Sequence, residues 1–271
     1  MKRASNSNAA KNGNSRRAEQ PDPFRFGWRY VQHISPDGPK VSVRTPLTLD
    51  DVLHPREGDR IPENSQQEND RIYLATVLRY RLAGNPHALV LSDCLIDWGV
   101  RGLRNHSPDI SVFDGVQGTS RHWGTFVVAA EGARPLLAIE VVSPDAHDRQ
   151  ARDNDVVTKV REYYRARVPL YGIVDQERVD GPRRIIGYRR GARKYVPVPL
   201  DDRGRLLMEP PRLLLGLRDE RAVCWDADTG EEIPDLTGMA QARQAAETAL
   251  AAAQARIREL EARTRNGGRR S

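Results

Sequence analysis

Two acidic residues of this 271-residue chain stand in stretches that otherwise carry no charge. Glu140 lies inside Leu136-Leu-Ala-Ile-Glu-Val-Val-Ser-Pro144, an apolar run that reads as a buried strand. Asp109 follows Ser107-Pro108 and opens Ile110-Ser-Val-Phe113, a second strand-like run. An ionised carboxylate taken out of water is costly unless a partner offsets its charge. If the two strands pair in one sheet, the carboxylates project into one space and repel each other. Either one of them holds a proton or a cation lies between them. A hard divalent ion with oxygen ligands, Mg²⁺ or Mn²⁺, meets that need and completes its sphere with water and phosphate oxygens. Plainer readings stand beside this one: Asp109 as the cap of a turn after Pro108, and Glu140 as the partner of a buried arginine.

Lys159 is the third candidate, in Asn154-Asp-Val-Val-Thr-Lys-Val-Arg-Glu-Tyr-Tyr164. Asp155 and Lys159 are four residues apart, so a surface ion pair along a helix is the default. Tyr163 continues the same face, and Val156 and Val160 flank it, which puts Lys159 at the border of a buried stripe. From there its ammonium could reach the point where Glu140 emerges, to hold a water or stabilise charge on a phosphate oxygen.

The elements needed to position these groups are legible as periodicities. Thr48 to Leu53 reads as a short capped helix, with Asp51 three residues after Thr48. Residues 66–82 carry Ile72, Leu74, Ala75, Leu78 and Leu82 at helical spacing, ended by Asn85-Pro86. Strands are expected at 88–91, 94–98, 107–113, 135–142, 170–175, 184–188, 194–198, 213–217 and 222–225, with a helix at 154–167. The strand–helix–strand unit over 136–175 implies a parallel crossover, and the whole a mixed α/β sheet flanked by helices with added hairpins. After Pro234 the composition turns Ala-, Gln-, Arg- and Glu-rich. Ala246, Leu250, Ala253, Ile257 and Leu260 alternate spacings of four and three, a thin coiled-coil seam through which two copies could pair. The expected organisation is a disordered basic tail over 1–22, a folded domain over 23–235, an Ala-rich helix over 236–264 and a second basic tail over 265–271.

Charge and composition narrow the function classes. Residues 1–20 and 263–271 each carry a net +4 of the total +6, so the stretch between them is slightly acidic. The basicity therefore belongs mainly to the tails. Residues 148–194 depart from this, with 13 Lys or Arg against 7 Asp or Glu, a local surface able to meet phosphates. Cys94 and Cys224 make neither a disulfide framework nor a metal motif. His106 and His147 flank the candidate strands without zinc spacing. No apolar run spans a membrane and the N-terminus lacks the apolar core of a signal peptide, so a cytoplasmic enzyme is expected. Phosphate-binding loops, dinucleotide fingerprints and nucleophile elbows are absent from the sequence.

Four segments in order, Ser107 to Phe113, Leu136 to Pro144, Asp155 to Tyr163 and Val168 to Asp175, resemble the Uma-two family of bacterial endonucleases, of the restriction-endonuclease-like, PD-(D/E)XK fold. The resemblance spans roughly residues 46–232. It implies that Asp109 and Glu140 are metal ligands, joined by the backbone carbonyl of Val141, in an Mg²⁺- or Mn²⁺-dependent endonuclease that hydrolyses DNA phosphodiester bonds. The fold's usual lysine position, two residues after the glutamate, is Val142 here. The resemblance moves the role to Lys159 on the next helix. An acidic residue of the first long helix commonly joins such a site, which points to Glu68 and then to Asp70. Arg149, Arg152, Arg161 and Arg165 become candidates for contacts with the DNA backbone. The rival reading is an inactive nuclease fold that binds DNA or a protein partner; a phosphohydrolase acting on RNA or a nucleotide stands third.

Overall fold

The computed structural model describes residues 22–33, 40–61, 65–119, 121–142, 154–178 and 181–267. The expected basic tail over 1–22 therefore lies almost wholly outside the described residues, as do His147, Arg149 and Arg152. Thirteen strands and five α-helices are described. The chain opens with a hairpin, β1 (Trp28–His33) and β2 (Val41–Pro46), and the short helix α1 (Leu49–Leu53). Thr48 and Asp51 close a reciprocal capping box at the start of α1, as the sequence spacing anticipates. Next come the long helix α2 (Ser65–Leu82) and strands β3 (Leu89–Ser92), β4 (Leu95–Asp97), β5 (Ile110–Asp114) and β6 (Thr125–Val127). A one-turn helix, α3 (Val128–Glu131), leads into β7 (Arg134–Val141). A π-helical turn at Asn154–Thr158 runs directly into α4 (Lys159–Arg165) and then β8 (Leu170–Gln176). Strands β9 (Arg183–Arg190), β10 (Tyr195–Pro197), β11 (Leu206–Met208), β12 (Leu213–Arg218) and β13 (Arg221–Asp226) follow, and α5 (Leu236–Gly267) is the last described element.

The principal sheet has the order β10-β9-β8-β7-β5-β3. Its central pair, β7 and β8, is parallel and every other pairing is antiparallel. Both faces of β7 are covered, which is why its sequence is nearly continuous in apolar residues rather than alternating. Leu137, Ile139 and Val141 face one core, built with Leu74 and Leu78 of α2 and Leu213, Leu215 and Cys224 of the small β11-β12-β13 sheet. Ala138 and Val142 face the other core, with Trp98, Phe113, Phe126, Tyr163, Tyr171 and Ile173. Glu140 shares the parity of Ala138 and Val142 and so belongs to this second face.

Close approach between layers depends on a glycine pair. Gly172 and Gly187 are direct partners across β8 and β9. A Cβ at Gly187 would meet Leu206 Cδ1 at 2.4 Å, so the bare backbone here lets the small sheet seat against the large one.

Helix α2 is tied to the small sheet by polar contacts as well as by packing. The Tyr73 hydroxyl donates to the Ile233 carbonyl at 2.7 Å and accepts from the Cys224 N–H at 2.9 Å. Asp70 accepts from the Ala222 N–H at 3.1 Å and pairs with Arg183 at 2.6 Å, both side chains being almost fully buried. Beyond the folded body, α5 is exposed from residue 240 through 261. Leu250 and Ile257 of its seam are each more than half accessible.

Removing one partner of a buried ion pair leaves the other charge without compensation. Arg183→Ala is expected to lower stability by about 3 kcal/mol, at the lower end of that class because burial already pushes the Asp70 carboxyl above its ordinary value and eases its protonation. Urea unfolding at neutral pH reads this directly.

Candidate active site

The antiparallel register of β5 and β7 brings the two carboxylates together. Ile110 pairs with Ile139 and Ser111 with Ala138, so the next step outward sets Asp109 beside Glu140. Partners directly opposite share a face, so Asp109, Ser111, Ala138 and Glu140 all point to the second core. Asp109 Oδ2 accepts the Val141 N–H at 2.7 Å, and Glu140 Oε2 lies 3.5 Å from the Asp109 N–H. Within a strand the N–H and C=O of one residue point to the same side. The Val141 carbonyl therefore shares the side on which its N–H meets Asp109.

Helix α4 covers this face and supplies the cation. Lys159 Nζ lies 3.0 Å from Glu140 Oε1 and 2.6 Å from Asp155 Oδ1. The Tyr163 hydroxyl, one turn further on, donates to the same Glu140 Oε1 at 2.6 Å. Expected as a surface contact, the Asp155–Lys159 pair is largely buried, with side-chain accessibilities of 16% and 12%. What periodicity along one helix cannot register is that β7 and β8 close over that face. The Tyr171 hydroxyl of β8 donates to the Asp155 carbonyl at 3.0 Å and holds the π turn against the sheet.

Burial dominates the electrostatics. It raises the Asp109 carboxyl well above the ordinary carboxylate range, and the charge of Glu140 adds to the rise. Among the described residues no cation pairs directly with Asp109. Burial also lifts Asp155 to about 6, against the pull of Lys159. Burial alone would depress Lys159, but Asp155 and Glu140 together raise it above its ordinary value and keep it charged. Tyr163 and Tyr171 are pushed up by burial and then by the charge of Glu140, so both act as neutral hydroxyl donors. The pocket thus concentrates three carboxylates around a single ammonium.

Glu68 and Asp70 correct the expectation of a contribution from the first long helix. Helix α2 packs on the opposite face of the sheet, Glu68 is exposed there, and no hydrogen bond or ion pair joins it to Asp109, Glu140 or Lys159 among the described residues. Asp70 faces inward but is held by Arg183 and the Ala222 N–H. Val142, at the usual lysine position, is buried in the second core. Arg161 is exposed on α4, while Arg165 donates to the carbonyls of Arg101 and Gly102.

A second polar group fastens α4 beside Tyr163, whose ring lies 5.1 Å from that of His106, and sequence spacing did not reveal it. His106 Nε2 lies 2.7 Å from Glu162 Oε2, and His54 Nε2 lies 3.8 Å from Glu162 Oε1. The three ligand atoms fall within 4.8 Å of one another, a donor set of zinc type. Trp98 Nε1, which can only donate, meets His106 Nδ1 at 2.9 Å. His106 therefore carries its proton on Nε2 and donates it to Glu162, which leaves neither ring nitrogen free for an ion. Burial would raise Glu162, but the His106 hydrogen bond and the nearby His54 hold it below its ordinary value. The contacts come from residues 54, 98, 106 and 162, a convergence that no local pattern announces.

This arrangement of two strand carboxylates and a helix lysine coincides with a family assignment. The family model Uma2, described as "Putative restriction endonuclease", matches residues 60–237. The chain belongs to the Uma2 family. The Uma2 match contains Asp109, Glu140, Val141 and Lys159 and stops at the start of α5. Among solved structures, the chain is similar to one described as "a putative nuclease belonging to DUF820 from Anabaena variabilis", at 16% identity, over 58% of this chain and 86% of that one, with a TM-score of 0.38. No curated protein matches.

A carboxyl whose folded value is raised costs stability as pH climbs, because the unfolded chain ionises first. For Asp109 that penalty is absent below the unfolded value near 3.8 and grows above it. Asp109→Asn keeps the acceptor for the Val141 N–H and removes the penalty. In metal-free buffer the variant is expected to melt with the wild type at pH 4 and several degrees higher at pH 8. Thermal unfolding across that range checks this.

Proposed function

We propose that this chain is a divalent-metal-dependent endonuclease that hydrolyses phosphodiester bonds in DNA. The observation that carries the reading is the convergence of Asp109, Glu140 and Lys159 on one buried face, set by the register of β5 against β7 and by α4. The donor set suits a hard cation: two carboxylates and the Val141 carbonyl, all oxygen, with Asp109 buried and lacking a cationic partner among the described residues. Asp109, Glu140 and Val141 would hold Mg²⁺ or Mn²⁺, which when bound polarises a phosphate oxygen and acidifies water.

The chain's own residues supply the rest. Lys159 keeps a permanent positive charge at Glu140, in place to orient a water or to offset charge developing on the phosphate. Tyr163 holds the Glu140 carboxylate in one orientation through Oε1, leaving Oε2 directed toward Asp109. The Val141 N–H does the same for Asp109. Apolar neighbours on the second core keep bulk water from screening these charges. An open groove along β3, bordered by Arg79, Ser92, Arg121 and Trp123, runs up to Asp93, whose N–H meets the Asp109 carbonyl at 3.2 Å. The groove borders the turn that pairs with Asp109, and the exposed Arg161 lies on the helix that carries Lys159, which makes both candidates for contact with a nucleic-acid backbone. The domain is taken to end near residue 235, with α5 pairing two copies in the cytoplasm.

Supercoiled plasmid with Mg²⁺ or Mn²⁺ is expected to be nicked or linearised by the wild type, and at least about 100-fold more slowly by Glu140→Ala and by Lys159→Ala. Equal nicking by all three proteins would trace the activity to a contaminant. Plasmid bound but left supercoiled would favour the non-catalytic DNA-binding module instead. A chain ended after Asp235 is expected to sediment at half the mass of the full chain; an unchanged assembly state would remove α5 from the pairing.

A further inference from the structure

Lys159 stands between two carboxylates that belong to different parts of the fold. Glu140 comes from the sheet, whereas Asp155 comes from the π turn that immediately precedes the lysine. The shorter contact is to Asp155, 2.6 Å against 3.0 Å. Glu140 Oε1 is shared between the ammonium and the Tyr163 hydroxyl, and its other oxygen faces Asp109. A divalent cation held by Asp109 and Glu140 would therefore sit close to the ammonium and draw on the same carboxylate. Two like charges sharing one counter-charge repel, and the flexible lysine is the one able to leave. Something other than Glu140 must hold it.

We infer that Asp155 is a positioning residue, whose carboxylate retains the Lys159 ammonium at the site once a divalent cation has taken the charge of Glu140. This rests on the reading of Asp109 and Glu140 given above. Three features suit Asp155 to the task. It lies one helical turn from the lysine, so the pair closes without folding the side chain back. Its backbone is pinned to the sheet through the Tyr171 hydroxyl. It is buried beside Glu140, so its attraction for the ammonium is weakly screened. The π turn belongs to a class of irregularity found at functional sites more often than in plain helices.

The test is a cycle of Mn²⁺ affinities measured by calorimetry on the full chain: wild type, Asp155→Asn, Lys159→Met, the double variant, and Glu140→Ala as reference. Glu140→Ala is expected to abolish the binding. With Asp155 neutral, the ammonium keeps its contact with Glu140, for which it competes with the cation, and having to displace it is expected to lower affinity at least tenfold. Removing the lysine as well is expected to restore affinity to within about threefold of Lys159→Met alone. A carboxylate that merely stiffens the π turn predicts no such rescue. Binding by Asp155→Asn equal to wild type, or a double variant as weak as Asp155→Asn, would overturn the inference while leaving the Asp109–Glu140 reading intact. Wild-type binding that survives Glu140→Ala would overturn that reading and the inference together.

Discussion

A carboxylate inside an apolar strand is tolerable only where its charge is met, and this molecule is organised around meeting it twice. Strand β7 carries Glu140 into the second core, and the register of β5 sets Asp109 beside it. The pair carries more negative charge than hydrogen bonds from Tyr163 and the Val141 N–H can offset. Helix α4 answers part of the excess with Lys159. The remainder shows in Asp109, whose carboxyl burial and Glu140 hold toward its protonated form. Burying such a pair costs the fold stability, a cost that the proposed cation would offset, as expected where binding rather than stability selects the residues.

The side chains that meet the pair ride on helix α4 and the π turn before it. Its near side presents Asp155, Lys159 and Tyr163 to the sheet. On the adjoining stripe Glu162 is fixed through His106 to Trp98 and lies close to His54 after α1. The helix is thus held by groups far apart along the chain. His106 packs against the Tyr163 ring, so the histidine group and the carboxylate pair adjoin through that tyrosine. On the opposite face of the sheet, α2 and the β11-β12-β13 hairpins build a conventional apolar core with a buried Asp70–Arg183 pair that ties α2 to β9.

Much of this was legible in the sequence. The alternation around Ile110 and the unbroken apolar run around Ile139 announced two neighbouring strands, and the i, i+4 pattern through Lys159 and Tyr163 announced the helix. The elements missed were β1, β2, β6, β11 and α3. All five are short or lie on the surface, where tertiary contact rather than periodicity decides the backbone. Glu68 failed for a different reason. Position on a helix says which residues share a face, but not which face of the sheet the helix will cover.

Residue types and spacing by themselves determined that Asp109 and Glu140 lie on buried strands of a mixed α/β sheet and Lys159 at the border of a helix's buried stripe, because burial and period leave their mark on every neighbouring side chain. Only the tertiary structure decided that Asp155 is buried with Lys159, that His106 answers Glu162, and that α2 turns its acids away from the site. These depend on strand order and on which face each helix covers. Both are set by the sum of many weak contacts between distant segments, and no single stretch of chain records that sum.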